Sequence, residues 1–237
     1  MPGLAELYRV QAFFSPAFPV GAFTYSHGLE QVIEDGSVHD AATLRLWVQD
    51  ILRHGSGRTD GILLAESWRA AMAGDTQAVK ELAGLGLALC PSRERHTETG
   101  GQGTAFLSTI RNAWGTGAEA SAAARAFHEL ADDADAVETW PYPVAAGLCL
   151  AASGIGLDAS LSAYLHAFAA NLISAAVRAV PIGQTDGQRV LASLMPQVME
   201  TAQTAAASGL DGLGSCTFLA DIASMRHETQ YTRLFRT

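Results

Sequence analysis

DAATLRLWVQDILRHG, residues 40–55, decides the fold class. Leu44, Trp47, Val48, Ile51 and Leu52 fall at i, i+3, i+4, i+7 and i+8, one apolar stripe on a helix of 3.6 residues per turn. Asp40 stands where an N-cap acceptor is wanted, and Gly55 where the chain leaves the helix. Working outward, Ile62 to Trp68 begins a second helix ending near Gly74, and Asp75 or Thr76 opens a third that reaches Leu89 before Pro91. A long segment from Ser92 to Trp114 carries Gly100, Gly101 and Gly103, which predict a kink or a tight helix crossing. An Ala-rich helix follows from Ala118 to about Ala131, then an exposed connection through Asp132–Glu138 to the Pro141-Tyr142-Pro143 break. Leu161, Leu165, Phe168, Leu172, Ala175 and Ala176 form a stripe opposed by Ala163, Ala167, Ala170 and Ser174, which predicts a helix buried on both sides. Pro181 and Gly183 end it. Thr185 and Gln188 have capping-box spacing for a helix that runs to Ala207 and bends at Pro196, and a last helix covers Cys216 to Met225. No segment alternates with period two, and there is no internal repeat or linker. The expectation is an all-α, single-domain multi-helix bundle over residues 1–237, with short loops and a flexible C-terminal tail from residue 227.

The chain has 237 residues, a formal charge of −9 and Lys80 as the single lysine among 15 basic residues. A chain this long buries a substantial core without staples. Nucleic acid is an unsuitable partner, because backbone phosphates need a basic face. Cys90, Cys149 and Cys216 are odd in number and each lies in an apolar stretch, so they read as buried free thiols. Glu6 and Arg9 interrupt the run a signal peptide would need. Pro141–Leu157 and Ala159–Val177 carry no charge, but they are rich in Ala, Gly and Ser and lack aromatic and basic flanks. They read as core helices.

Recognisable catalytic arrangements are missing: there is no GxxxxGK[ST] loop, no strand-linked GxGxxG, no GxSxG elbow, and His227-Glu228 lacks the second histidine of HExxH. His27 and Glu30, three apart, could share a metal, and a metal-dependent enzyme built on them is the alternative to a non-catalytic reading. Glu94, His96 and Glu98 among Arg93 and Arg95 read as a salt-bridged helix surface. Two segments are unusual for a plain bundle. SPAFPVGAFTYSHGLE, residues 15–30, combines Pro16, Pro19 and Gly21 with aromatic anchors. In the tail, Tyr231, Arg233, Leu234, Phe235 and Arg236 alternate arginine with aromatic or apolar groups, suited either to folding back on the core or to ordering on a partner.

These two segments are also where the chain resembles the UreF family of urease accessory proteins, whose N-terminal hallmark is similar to SPAFPVGAFTYSHGLE and whose end is similar to HETQYTRLFRT. Between them, PSRERHTETGGQGTAFL (91–107) and NLISAAVRAVPIGQTDGQRVL (171–191) resemble two further family segments in the same order. Trp140-Pro141 stands where the family often has Gly-His, and Thr237 where it often has serine. The resemblance implies a cytoplasmic all-helical homodimer that bridges UreD (also called UreH) and the GTPase UreG. The assembly acts as a chaperone that delivers nickel into apo-urease, with no catalysis, cofactor or metal site in this chain. It implies that the tail docks on UreD/UreH through Tyr231, Arg233, Leu234, Phe235 and Arg236. Arg178 and Glu30 become candidates for the UreG-facing surface, and Pro16, Pro19, Gly21, Gly183 and Gln184 shape the scaffold.

Overall fold

The computed structural model describes residues 3–116, 121–133 and 135–236. In chain order the helices are α1 (Leu4–Phe13), α2 (Leu29–Glu34), α3 (Ala41–His54), α4 (Ser56–Ala73), α5 (Thr76–Ala88) and α6 (Arg93–Thr109). They continue with α7 (Ala122–Asp132), α8 (Tyr142–Ala152), α9 (Leu157–Ala179), α10 (Gln184–Ala207) and α11 (Phe218–His227). Short 3₁₀ turns at Ala22–Thr24 and Leu210–Gly212 and one π turn at Ile110–Trp114 complete the regular structure. No strand occurs among the described residues, and the fold is all-α as the apolar spacing predicts.

The helix ends follow side-chain chemistry. Asp40 accepts from the Thr43 amide at 2.8 Å while the Thr43 hydroxyl accepts from the Asp40 amide at 3.1 Å, satisfying two donors that a helix start leaves orphaned. Gly74 ends α4 at φ 74°, a left-handed turn that costs glycine little. Asp75, Ser92 and Ser121 then cap α5, α6 and α7 by accepting from the amides of Ala78, Arg95 and Ala124. The last helices depart from the expected boundaries. The Thr185–Gln188 box does not form, because α10 has already begun at Gln184 with Gly183 as its extended N-cap. Helix α11 starts at Phe218 rather than Cys216, since the Cys216 amide donates to the His54 carbonyl at 2.9 Å and ties that segment to the end of α3. Ala118 and Thr237 lie outside the described residues.

Helix α8 is the hub. Every residue from Pro143 to Ala152 is buried, and α4 crosses it at Gly147, where a Cβ would overlap the Leu64 carbonyl. Across the other side, α6 meets the strap before α8: a Cβ on Gly103 would overlap the Trp140 carbonyl, and one on Gly100 would overlap Thr139. The glycines therefore permit a tight crossing, and the irregularity comes later, in the π turn. Phe13, Phe18, Phe106, Tyr142 and Tyr164 fill the space beyond with rings 5.1 to 6.2 Å apart.

Two expectations are corrected here. The outer side of α9 is not buried: Ala163, Ala167 and Ala170 are half-buried and Ser174 is exposed, because no helix among the described residues covers that side. The helix is long and apolar enough to cross a membrane by length and composition, yet 50% of its apolar window is buried inside the protein. Of the cysteines, Cys149 is buried, Cys90 half-buried and Cys216 exposed on the extended segment before α11.

Close crossing at Gly103 gives a stability test. Gly103→Ala is expected to cost about 3 kcal/mol, since the intruding methyl meets backbone rather than a movable side chain. Gly84→Ala, in α5 with open space around it, is expected to stabilise by about 0.5 to 1 kcal/mol. Chemical denaturation of both variants checks the pair.

Candidate functional site

The segment 15–30 folds as a series of turns. Gly21 at φ 73° and Gly28 at φ 76° take left-handed conformations, and His27 does so without being glycine, at φ 61°. A Cβ at Gly28 would overlap the Ser224 amide nitrogen, so the start of α2 rests directly on the backbone of α11. Pro16 and Pro19 are exposed on the turns before it. Glu30, in the first turn of α2, is buried.

Around Glu30 the C-terminus closes back onto the molecule. His227, the last residue of α11, is fully buried, and its Nδ1 lies 2.7 Å from Glu94 Oε2 while its Nε2 lies 3.1 Å from Glu30 Oε2. Both ring nitrogens thus lie within hydrogen-bond distance of carboxylate oxygens. Glu30 also accepts from the backbone amides of Leu234 (2.7 Å) and Phe235 (3.0 Å), and Arg233 donates to Glu94 Oε1 at 2.9 Å. The Arg236 amide donates to the Thr24 carbonyl at 2.8 Å, and the Arg178 guanidinium sits 4.5 Å above the centre of the Phe235 ring. Glu228 receives the Arg93 amide at 2.9 Å and the hydroxyls of Ser92 and Ser224 meet at 2.6 Å. The four separated sequence blocks thereby converge on one clasp.

That clasp divides the tail by direction. Phe235 is 5% exposed and packs inward; Leu234 is 71% exposed, and Tyr231, Arg233 and Arg236 are also exposed. Helix α11 has the same division. Its inner face is Ala220, Ala223, Ser224 and His227, and its outer face carries Phe218, Leu219, Ile222 and Met225. Gly183 lies in the exposed turn between α9 and α10, and Gln184, also exposed, is the first residue of α10. Arg178, in the 171–191 block, touches the tail through its contact with the Phe235 ring.

Beneath the clasp lies a second group of charges. Arg95 pairs with Glu98, and His27 Nε2 lies 2.7 Å from Ser56 Oγ with its Nδ1 3.8 Å from Glu98. Tyr164 donates to Asp60 at 3.0 Å. Cavities of about 80 and 250 Å³ border these groups, sharing His27, Asp60, Arg95 and Thr99 in their walls. Burial, reinforced by Arg95, lowers His27 to about 4. Burial alone would raise Glu98, but Arg95 and His27 outweigh it and hold the carboxyl down at about 2. Burial raises Asp60 to about 6 against the pull of Arg95 and the Tyr164 hydroxyl.

The expected salt-bridged surface at 93–98 is therefore corrected. Glu94, Arg95 and Glu98 point into the protein, leaving His96 and Arg93 outside. The His27–Glu30 pair is also taken apart: His27 turns to Ser56 and Glu98, Glu30 to His227 and the tail. No group of three or more His, Cys, Asp and Glu side chains with metal-binding geometry occurs among the described residues. What sequence reasoning missed is His227 as the centre of the clasp; its failed HExxH pattern was the sole local signal.

Two outcomes follow. Glu30→Ala removes the acceptor of the Leu234 and Phe235 amides, so hydrogen exchange there should accelerate at least about tenfold while α4 and α8 stay protected. Asp60 is a carboxyl whose folded value, about 6, lies above its ordinary 3.8, so it favours the fold when protonated and opposes it when ionised. Asp60→Asn should stabilise at pH 8 by about 2 kcal/mol, discounted because the side chain borders a cavity, and the gain should shrink as pH falls from 6 towards 4. Urea denaturation at several pH values reads this directly.

Comparison with known proteins supplies the family. The UreF family model matches residues 38–195, from just before α3 into α10. A urease accessory protein UreF of Rhodopseudomonas palustris strain BisB5 is 51% identical over 233 residues, covering 98% of this chain and 92% of the relative. That of strain HaA2 is 50% identical over 233 residues, 98% of this chain and 94% of the relative. The UreF of Methylorubrum populi is 46% identical over 234 residues, 99% of this chain and all of the relative. These alignments extend through both the 15–30 turns and the tail that closes on them, and the chain belongs to the UreF family of urease accessory proteins.

Proposed function

We propose that this chain is a non-catalytic, cytoplasmic scaffold of urease maturation, a homodimer that bridges UreD/UreH and the GTPase UreG so that nickel reaches apo-urease. Nickel is cargo of the assembly in this reading, and the chain holds no cofactor. The observation that carries it is the division of the C-terminus. Phe235, His227 and the Glu30 contacts fasten the segment from within, while Tyr231 and Leu234 and the outer face of α11 stand in water. Contiguous exposed apolar side chains flanked by arginine are the composition of a protein-binding surface. A clasp that fixes their backbone lowers the ordering cost of docking.

In this reading Tyr231, Leu234, Arg233 and Arg236 meet UreD/UreH, and Phe235 anchors the segment that presents them. Glu30, buried behind the tail, acts through the residues it holds, whereas Arg178 is exposed and free to serve both Phe235 and a UreG-facing surface. Pro16, Pro19, Gly21, Gly183 and Gln184 shape turns. A scaffold without chemistry of its own acts by binding one nucleotide or metal state of the GTPase better than another, since equal affinity shifts nothing.

Co-expression pull-downs with UreD/UreH and UreG test the assignment. Leu234→Asp and a chain truncated after Gln230 are expected to lose UreD/UreH, with helical circular dichroism unchanged for Leu234→Asp because that side chain touches water. Full binding by both variants would place the interface elsewhere and overturn the tail assignment.

A further inference from the structure

Arginine is divided between paired and unpaired positions. On the sides of the bundle exposed guanidiniums hold carboxylates: Arg53 holds Glu200, Arg111 holds Asp132 and Arg189 holds Asp186. Arg93, Arg178, Arg226 and Arg236 are exposed as well, and none of them has an ion pair with a carboxylate among the described residues. All four stand around the clasp. The Arg93 amide donates to Glu228, which follows the end of α11 and lies just beyond Arg226. The Arg178 guanidinium lies over the Phe235 ring, and Arg236 follows Phe235 in the chain. The carboxylates beneath them, Glu30 and Glu94, are buried and already bound to His227, Arg233 and the tail amides.

From this we infer that the end of the molecule formed by α11, the tail and the start of α6 docks a protein surface rich in carboxylates. The inference rests on the reading of the tail as the UreD/UreH contact, and it adds the chemistry of the surface that meets it. Charge selects the partner. A chain at −9 attracts a basic protein over most of its surface, so a basic partner gains nothing by choosing the end that carries unpaired arginines. An acidic partner is repelled elsewhere and finds guanidiniums at this end. The Debye length, about 8 Å at physiological ionic strength, screens the distant repulsion, so the local arginines decide the contact. Each can take a carboxylate without breaking an ion pair it already has, and the guanidinium fork matches a carboxylate through two parallel hydrogen bonds.

The layout of the face agrees. Phe218, Leu219, Ile222 and Met225 fall at i, i+1, i+4 and i+7 on the outer face of α11, all exposed, and Arg226 follows Met225. Tyr231 and Leu234 of the tail are exposed beside Arg233 and Arg236. Apolar and aromatic groups bordered by arginine form a surface whose apolar part holds the partner while the charges set encounter rate and register. The clasp holds part of this arrangement in advance. Phe235 supports Arg178 from below, and the buried Glu94 fixes Arg233, so docking has fewer side chains to order.

Biolayer interferometry of the full chain against immobilised UreD/UreH, in 50 to 500 mM NaCl, decides the matter. Three variants at exposed positions are compared with the native chain: Arg93→Glu, Arg226→Glu and, as a control of equal charge change on α3, Arg53→Glu. The native association rate is expected to fall at least about tenfold across the salt range. At 150 mM NaCl the Kd of Arg93→Glu and of Arg226→Glu should rise at least about tenfold, chiefly through slower association, while Arg53→Glu binds as the native chain does. Native binding that both reversals at this end leave unchanged, or tighten, overturns the acidic partner surface and leaves the UreD/UreH reading of the tail intact. A native chain that does not bind UreD/UreH at any salt concentration overturns both.

Discussion

A buried imidazole between two carboxylates sets the terms for the rest of the molecule. Glu30 and Glu94 could not lie inside the protein unpaired, because an uncompensated buried charge costs several kcal/mol. His227 bridges them, and the remaining lone pairs are taken by the Leu234 and Phe235 amides and by Arg233. Satisfying the carboxylates therefore fixes the path of the tail, the seat of α11 on α2 through Gly28, and the inward turn of α6. Nearly the whole length of the chain must be in place before the cluster is complete.

Much of the helical architecture is legible locally. Asp40, Gly74 and Asp75 mark their helix ends because each acts through the next few residues, by a hydroxyl or carboxylate accepting from an amide or by a left-handed turn. Burial is not local. Glu94, Arg95 and Glu98 have the spacing of an exposed ion-paired helix face, and only the packing of α6 against α8 and α11, with His27 and His227 facing its carboxylates, turns them inward. His227 pairs with residues 133 and 197 positions away, and no periodicity carries such information. The same limit explains α9, whose opposite side reads as buried by composition yet finds no helix among the described residues to cover it. Resemblance identified four segments; three-dimensional contact explains why those four hold together.

Two surfaces of different character emerge. The tail and α11 present arginine beside exposed aromatic and aliphatic groups, held by charge pairs from within. The side of α9 presents small uncharged residues beside a groove. Between them lies the His27, Asp60, Arg95 and Glu98 group, whose pairing stabilises the walls of both cavities.

The central claim is that Glu30 and His227 hold the C-terminus by acting on each other. A double-mutant cycle of Glu30→Ala and His227→Ala, followed by urea denaturation at pH 7, measures that coupling directly. The account predicts an interaction energy of about 1.5 to 3 kcal/mol, the two single changes costing together far more than the double. Additivity within about 0.5 kcal/mol would show that the two residues stabilise the fold independently and that the tail is held by something else.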